Sequence, residues 1–273
     1  MKYMTFNSSC SYAGIANMLE QYGVDTSDRE IALGMKLPYL FTYQDGVYLS
    51  GPMLQNAEWF DLYLNPLGFQ LIEKKISSNE IVEYLKEQKT AMIGIKMGNA
   101  GKHAVIYKGM ESNVFVFLNN KTENEDSPCE IRFTEEELRQ NVEAEVMVAT
   151  LQPIKSRKSC ILDKLETSLA VLQANLSEIL EICNKEVTME FLRSRLNTLF
   201  RPLFLDGITM LNLIGEIELS EEFAKMQGKF LRVLRQDTKE RILLKNYISM
   251  DKLQVSVQKY MELIKAELEK LER

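Results

Sequence analysis

Three kinds of side chain in this sequence could together carry out nucleophilic chemistry. His103 is the only histidine in the 273 residues, and it opens the apolar run HAVIYKG. The next apolar run, NVFVFLNN, ends on Asn119 and Asn120. Far upstream, Cys10 precedes the segment SYAGIANMLEQYG. A thiol, an imidazole and an amide are the groups needed for a nucleophile, its base and the residue that orients the base.

The chemistry depends on how these residues are positioned. A thiolate, and not a thiol, is the nucleophile, and both a helix N-terminus and a nearby imidazolium favour it. Cys10 has the first of these by its place before an amphipathic segment. His103 could supply the second, and the side chain of Asn119 or Asn120 could accept a hydrogen bond from the other imidazole nitrogen. Any histidine chemistry in this chain must use His103.

Each of these residues also has a purely structural interpretation. A cysteine near a helix start is often a small buried residue, and a histidine on an apolar strand is often a satisfied core residue. An asparagine at the end of a strand commonly makes a turn. The order of all three on suitable elements favours the catalytic interpretation over the three separate structural ones.

The pattern of the first half predicts an α+β domain. Ile15, Met18, Leu19 and Tyr22 share one helical face, and Gly23 ends that helix. A second helix is predicted over about 27–35, and capping boxes are predicted at Ser77 with Glu80 and at Thr134 with Glu137. The β-like runs are AMIGIKM, HAVIYKG, NVFVFLN and EVMVATL. An N-terminal helix packed on an antiparallel sheet accounts for this pattern.

The second half predicts a bundle of helices. The segment PIKSRKS, 153–159, is a boundary, which gives a first domain of residues 1–153 and a helical domain of residues 158–273. Apolar residues recur every three or four positions through ILDKLETSLAVLQANLSEILEIC. Further helices are predicted at roughly 188–200, 203–217, 220–246 and 249–271, which is typical of a bundle of about four helices.

Composition restricts the class of protein. The 33 Lys and Arg against 39 Asp and Glu give a net charge of −6, which argues against nucleic acid as a partner. The N-terminus MKYMTFNSSC lacks the apolar core of a signal peptide, and no stretch is long enough to span a membrane, so we expect a cytoplasmic protein. The four cysteines are scattered, which predicts free thiols and no metal site.

Two further groups of residues have a functional and a structural interpretation. Tyr39, Phe41 and Tyr43 are candidates for lining a pocket for an acyl chain, and a loop packed on the core is the alternative. The basic clusters of the second half could meet an acidic protein, whereas such clusters are usually solvated helix faces.

The residues described above carry a resemblance to the papain-like cysteine peptidase clan, in its C39-like branch. The matching residues are Cys10-Ser-Tyr-Ala-Gly-Ile-Ala-Asn-Met-Leu, Gly101-Lys-His103-Ala-Val-Ile-Tyr and the strand that ends at Asn119-Asn120. More closely, residues 3–150 resemble the N-terminal domain of butirosin-biosynthesis acyltransferases. The chain is also similar to the amide-forming cysteine-protease homologue of closthioamide (polythioamide) biosynthesis. The resemblance implies a catalytic Cys10, His103 and Asn119.

The sequence departs from these families in two places. Asn119-Asn120 stands where Asp-Pro is usual, which leaves the third member open between Asn119 and Asn120. Met4 occupies the place of the oxyanion-hole glutamine, and Asn7 is the nearest amide and hence the oxyanion candidate. The backbone N–H of Cys10 is the alternative donor.

The resemblance implies an acyltransferase that forms amides. It would move an acyl or peptidyl chain from a carrier-protein thioester, through acyl-Cys10, to a small amine in nonribosomal or similar natural-product biosynthesis. No cofactor of its own is expected, because the phosphopantetheine arm belongs to the acyl or peptidyl carrier protein. Two alternatives stay open: a cytosolic C39-like cysteine peptidase or amidase that uses the same residues, and a non-catalytic module that binds a carrier or a peptide.

Overall fold

The computed structural model of the protein describes residues 1–6, 9–96, 102–236 and 240–273. The α-helices in these ranges are α1 (Cys10–Glu20), α2 (Asp28–Gly34), α3 (Ala57–Leu64), α4 (Ile81–Lys86), α5 (Glu135–Asn141), α6 (Ile161–Cys183), α7 (Met189–Arg195), α8 (Ile208–Leu213), α9 (Ile217–Leu234) and α10 (Met250–Glu272). The strands are β1 (Phe41–Gln44), β2 (Val47–Ser50), β3 (Phe69–Ser77), β4 (Ala91–Lys96), β5 (Lys102–Glu111), β6 (Val114–Asn119), β7 (Glu130–Phe133), β8 (Glu145–Pro153), β9 (Glu186–Val187) and β10 (Ile242–Leu243).

The chain divides into two compact units. The first contains Met1–Met35 and Gln55–Ser159, and the second contains Lys36–Leu54 and Cys160–Arg273. The division after Ser159 lies close to the predicted start of the helical domain at 158. The predicted first domain, 1–153, differs from the structure because it included residues 36–54, which cluster with the helices of the second unit.

The first unit is built on an antiparallel sheet of six strands in the order β3-β8-β4-β5-β6-β7. Within it, β4 pairs with β5 so that Ile95 lies opposite His103, and β5 pairs with β6 so that Val105 lies opposite Asn119. The end of β6 and the start of β5 therefore meet at the same edge of the sheet. The predicted α+β class, with a helix packed on an antiparallel sheet, is confirmed.

Helix α1 covers one face of this sheet. Its residues Tyr12, Ala13, Ile15, Met18 and Leu19 are all fully buried, which explains why so short a helix is stable. Gly23, at a φ of 78°, allows the turn that follows the helix. The start and stop predicted for this helix from the sequence agree with the structure.

The opposite face of the sheet packs on α4 and α5. Val105, Tyr107 and Phe117 face this core, in which the helices contribute side chains such as Leu85 and Leu138. Along β5, Val105 and Tyr107 therefore point toward α4 and α5, and Ile106 points toward Gly14 of α1.

Only one of the two predicted capping boxes forms. In α5, the Thr134 side chain accepts from the Glu137 N–H and the Glu137 carboxylate accepts from the Thr134 N–H, as predicted. At α4 the prediction is wrong, because Ser77 is the last residue of β3 and no side chain of the described chain caps that helix at Glu80. The Ser77 hydroxyl instead donates to the Glu80 carboxylate at 2.8 Å.

The second unit packs α6, α9 and α10 with the hairpin β1-β2. The hairpin is bound to α6 by the Phe41 N–H, which donates to the Ser168 hydroxyl at 2.9 Å. The turn before the hairpin is bound to α10 by the fully buried Tyr260, whose hydroxyl donates to the Pro38 carbonyl at 2.8 Å. Residues 196–200 and 202–207 are π-helical. The unit is thus mainly helical, with short strands that the predicted all-α bundle did not include.

The predicted helix over 220–246 is too long. The observed helix α9 ends at Leu234, and β10 (Ile242–Leu243) pairs with β9. Residues 235–236 and 240–241 offer no apolar side chain for burial, so packing gives no reason for the helix to continue beyond Leu234. Residues 237–239 of the predicted helix lie outside the described residues.

Among the described residues, no helix is long and apolar enough to cross a membrane.

Candidate functional site

His103 is held by a main-chain carbonyl at the edge of the sheet. It is the second residue of β5 and is half-buried, and its Nε2 lies 2.5 Å from the carbonyl oxygen of Asn120. A carbonyl oxygen can only accept, so Nε2 must carry the hydrogen in this contact. The neutral imidazole is then the tautomer with a bare Nδ1, which is the nitrogen free to act as a base.

Cys10 is the first residue of α1 and is partly exposed to solvent. The first turn of this helix contains no acidic residue, and its N-cap residue, Ser9, makes no side-chain capping bond. No carboxylate in that turn therefore offsets the partial positive charge of the helix N-terminus.

A buried carboxylate fixes the chain that leads into Cys10. Asp28, the first residue of α2, is fully buried. It accepts hydrogen bonds from the Thr5 N–H at 2.7 Å, from the Thr5 hydroxyl at 2.8 Å and from the Ser9 hydroxyl at 2.8 Å. Because Ser9 precedes Cys10 directly, this network determines the direction in which the chain enters α1.

The side chain of Asn120 joins α1 to the strand that carries His103. Its Nδ2 donates to the Ala104 carbonyl at 3.1 Å, and its Oδ1 accepts from Asn17 at 3.2 Å. A Cβ placed on Gly14 would lie 2.9 Å from the same Nδ2. The backbone of α1 therefore lies directly against Asn120.

Asn120 therefore contacts both α1, whose first residue is Cys10, and His103. Cys10 precedes Gly14 by one helical turn, about 6 Å along the axis, and shares its face of α1. His103 lies on the other side of Asn120, bound to its carbonyl. The N-terminal segment lies against the residue after Asn120, since the Met4 N–H donates to the Lys121 carbonyl at 2.9 Å.

The predicted role of the Asn119 and Asn120 side chains requires a correction. The Asn119 Nδ2 donates to the Ser127 hydroxyl at 3.2 Å and to the Pro128 carbonyl at 3.0 Å, while its Oδ1 is buried without a hydrogen-bond partner in the described part of the chain. The Asn120 amide is engaged with α1 and with Ala104. The group that binds the imidazole is the Asn120 main-chain oxygen, which any residue at that position would provide.

A loop after β6 places negative charge near the imidazole. Lys121 is buried, and its ammonium donates to the carbonyls of Glu125 and Ser127, which closes the loop around it. The Ser127 hydroxyl donates to the Glu125 carboxylate at 2.7 Å. This hydrogen bond is the main cause that lowers the pKa of Glu125, and the charge of His103 lowers it further.

The structure also reveals an amide that the sequence analysis missed. The hydroxyl of Ser11, which directly follows Cys10, donates to Oε1 of Gln55 at 3.0 Å. Gln55 stands 45 positions downstream, just before α3, and no local pattern connects it with Cys10. The predicted oxyanion residue, Asn7, lies outside the described residues.

The predicted pocket residues belong to the second unit. The ring of Phe41 is buried edge-on against Tyr260, with centroids 5.3 Å apart, and forms part of the helical core. Tyr43 is 54% exposed and packs on Tyr48 at 4.6 Å, and Tyr39 is half-buried. The alternative interpretation, a loop packed on a core, describes Phe41, because its apolar ring is covered by residues of the same unit.

The remaining cysteines differ from Cys10 in their surroundings. All four cysteines are free thiols. Cys129 and Cys160 are exposed, and Cys160 is the N-cap residue of α6. Cys183 is buried, which raises its pKa to about 12. No group of three or more His, Cys, Asp or Glu side chains placed to hold a metal ion occurs within the described ranges.

Comparison with known proteins yields similarity to solved structures alone. No family model matches the chain, and no curated protein matches it. The peptidase domain of Streptococcus ComA, a bi-functional ABC transporter involved in a quorum sensing pathway, is 14% identical, with a TM-score of 0.39 over 54% of this chain and 95% of that one. The Pseudomonas avirulence protein AvrPphB is 11% identical, with a TM-score of 0.23 over 37% of this chain and 61% of that one. Similarity of this degree leaves reaction and substrate open, so the side chains must carry the functional argument.

Proposed function

We propose that this protein is a cysteine-dependent acyltransferase that forms amides. The observation that carries the proposal is the contact between His103 Nε2 and the Asn120 carbonyl, at 2.5 Å, because the Asn120 side chain also packs on the helix that begins with Cys10. This contact leaves Nδ1 of the imidazole as the free base. The packing of Gly14 on Asn120 supports a position of Cys10, one helical turn before Gly14, within reach of that base.

The first half-reaction forms an acyl-enzyme. His103 Nδ1 takes the proton from Cys10, and the thiolate attacks the carbonyl carbon of an acyl or peptidyl thioester. A carbon–sulfur bond forms while the carbonyl electrons move to oxygen, and the N–H groups of the first turn of α1 stabilise this oxyanion. The oxyanion then expels the carrier's thiolate, which takes the proton from the His103 imidazolium.

The second half-reaction forms the amide. An amine attacks the acyl-Cys10 carbonyl, its proton passes to His103, and the carbon–sulfur bond breaks. The imidazolium returns its proton to the Cys10 thiolate. In both halves the Asn120 carbonyl accepts a hydrogen bond from Nε2 of the imidazolium, which takes the part that a directly bonded aspartate plays in other thiol enzymes.

The substrates proposed are a carrier-protein thioester and a small amine. Exchange of a thioester onto Cys10 is nearly isoenergetic and aminolysis of a thioester is downhill, so the reaction requires no ATP. Aminolysis must compete with hydrolysis, which requires a bound, oriented amine and exclusion of water. The sequence resemblance to butirosin-type acyltransferases supports transfer over hydrolysis.

The test is to incubate the protein with an acyl N-acetylcysteamine thioester and a saturating amine, with intact-mass detection of the enzyme and chromatography of the products. We expect an acyl adduct on Cys10 and an amide product, both absent in Cys10→Ala. His103→Ala should form the adduct at least 100-fold more slowly. Cys160→Ala, which removes an exposed thiol of the second unit, should behave as the wild type.

Two results would support the alternatives. An adduct that yields only free acid at saturating amine would indicate a peptidase or amidase with the same residues. Absence of any adduct on Cys10 would indicate a non-catalytic binding module.

A further inference from the structure

The proposed reaction requires a second donor for the oxyanion. Main-chain N–H groups at the start of α1 point along the helix axis and provide one side of such a site. Each half-reaction develops a full negative charge on the same oxygen, and a side-chain amide is the neutral donor best suited to share it.

The side-chain amide of Gln55 is hydrogen-bonded to Ser11, the residue after Cys10. The Ser11 hydroxyl donates to Gln55 Oε1 at 3.0 Å, and consecutive Cα atoms are about 3.8 Å apart, so the amide is fixed close to the start of α1. Because Oε1 is occupied as an acceptor, the NH₂ group is oriented away from Ser11. Within the described ranges this NH₂ group has no hydrogen-bond partner of its own, and Gln55 is exposed to solvent.

The helix that follows Gln55 packs on α1. Gln55 directly precedes Asn56, the N-cap residue of α3. In the first turns of the two helices, the rings of Tyr12 and Phe60 meet edge-on, with centroids 4.9 Å apart, and both side chains are fully buried. The starts of α1 and α3 are therefore held together by a buried aromatic contact, and beside it the buried Ser11 binds the exposed Gln55.

We infer that Gln55 is an oxyanion-binding catalytic residue, whose Nε2 donates a hydrogen bond to the acyl oxygen when Cys10 attacks. This inference rests on the proposed function. The donor acts in both halves of the reaction, since the attack of Cys10 on the thioester and the attack of the amine on acyl-Cys10 both move the carbonyl electron pair onto that oxygen. Ser11 is the positioning residue for the amide.

The experiment compares acylation of Cys10 with its alkylation. Acylation by a thioester passes through an oxyanion, whereas alkylation by iodoacetamide displaces iodide at a saturated carbon and forms none. Gln55→Ala should slow single-turnover acylation by about 10²- to 10³-fold, as loss of one oxyanion donor does elsewhere, and should leave the alkylation rate unchanged. Gln55→Glu, which cannot donate when ionised, should lose at least as much.

Two further variants complete the design. Ser11→Ala leaves the amide in place but removes its anchor, so an intermediate loss of about tenfold in acylation is expected. Gln140→Ala removes an exposed glutamine of α5 and should change neither rate. Fluorescence of Trp59, the only tryptophan, which is buried in α3, reports whether the first unit stays folded.

The outcomes separate this inference from the proposed function. Wild-type acylation with a Gln55→Ala variant that acylates equally fast would overturn the role of Gln55 and leave the proposed function intact. An equal fall in acylation and alkylation would overturn it as well, because the residue would then be structural. No acylation of the wild type would overturn the proposed function itself.

Discussion

Replacement of Gly14 by alanine tests the contact on which the site depends. A Cβ at this position would lie 2.7 Å from Met92 Sδ, 2.9 Å from Asn120 Nδ2 and 3.1 Å from Ile106 Cδ1. Non-bonded carbon contacts are normally about 3.5–4.0 Å, so α1 or its neighbours must move. The thioether of Met92 can rotate away, but Asn120 is held by Ala104 and Asn17.

The expected free-energy change combines opposing effects. Alanine in place of glycine favours a helix by about 1 kcal/mol. Overpacking a filled interior costs about 1–3 kcal/mol, and loss of the hydrogen bond between Asn17 and Asn120 costs about 1 kcal/mol. Overpacking and the lost bond together exceed the gain, so Gly14→Ala should lower the free energy of unfolding of the first unit by about 1–3 kcal/mol.

The same displacement should affect chemistry, because Asn120 also holds His103. A misplacement of about 1 Å between reacting groups can reduce a rate by about 100-fold, so we expect acylation of Cys10 to fall at least tenfold. Urea unfolding followed by Trp59 fluorescence measures the stability of the first unit, and single-turnover acylation measures the chemistry.

Gly228→Ala is the matched control. Gly228 lies within α9, and a Cβ there would meet nothing within 4 Å. This variant should stabilise the second unit by about 0.4–1 kcal/mol, measured by circular dichroism, and leave acylation unchanged. If Gly14→Ala also stabilised the protein and acylated Cys10 at the wild-type rate, the packing of α1 on Asn120 could not be what positions the site.

Three other substitutions test separate parts of the account. Asn119→Ala should lower the free energy of unfolding of the first unit by about 1–3 kcal/mol in urea, because the Asn119 amide binds Ser127 and Pro128. It should change the acylation rate less than threefold. A 100-fold loss of rate would restore the Asn119 side chain as the partner of His103. Asp28→Asn should lower the free energy of unfolding by about 2–4 kcal/mol and slow acylation, because the Ser9 hydroxyl next to Cys10 loses its carboxylate acceptor. Unchanged acylation would contradict this positioning role. Burial raises the pKa of Asp206 to about 6 from 3.8, so the folded state holds a proton that the unfolded chain has released, and stability should fall by about 2–3 kcal/mol as pH rises from about 4 to 6. Asp206→Asn should abolish that slope in thermal unfolding monitored by circular dichroism, and retention of the slope would assign it to other groups.

Local patterns account for the parts of the fold that were predicted correctly. The helix from Cys10 to Glu20, the helix capped by Thr134 and the strands β4, β5, β6 and β8 follow from hydrophobic periodicity and capping residues near one another in sequence. Strand β3 was missed because FQLIEKKIS carries three consecutive charges on an edge strand whose exposed face needs no apolar residue.

The remainder depended on contacts between distant parts of the chain. Residues 36–54 belong with helices more than 100 positions later, through the bond between Phe41 and Ser168. The carbonyl that binds His103 could not be read from residue types, since every residue has one. Gln55 could not be predicted for a related reason, because only the fold brings it within hydrogen-bond distance of Ser11.

The most direct test of the central claim is the rate at which each cysteine is alkylated by iodoacetamide, resolved by peptide mass spectrometry at pH 5 to 8. The protein contains its own controls. Cys160 is exposed at the N-terminus of α6, Cys129 is exposed on a loop, and Cys183 is buried.

Activation of Cys10 by His103 predicts that Cys10 is alkylated at least tenfold faster than Cys129 and Cys160 near pH 6, and that His103→Ala removes this advantage without changing the other two rates. If Cys10 reacted no faster than Cys160, or equally fast with and without the imidazole, the thiol would not be paired with His103 and the proposed acyl transfer would have no nucleophile.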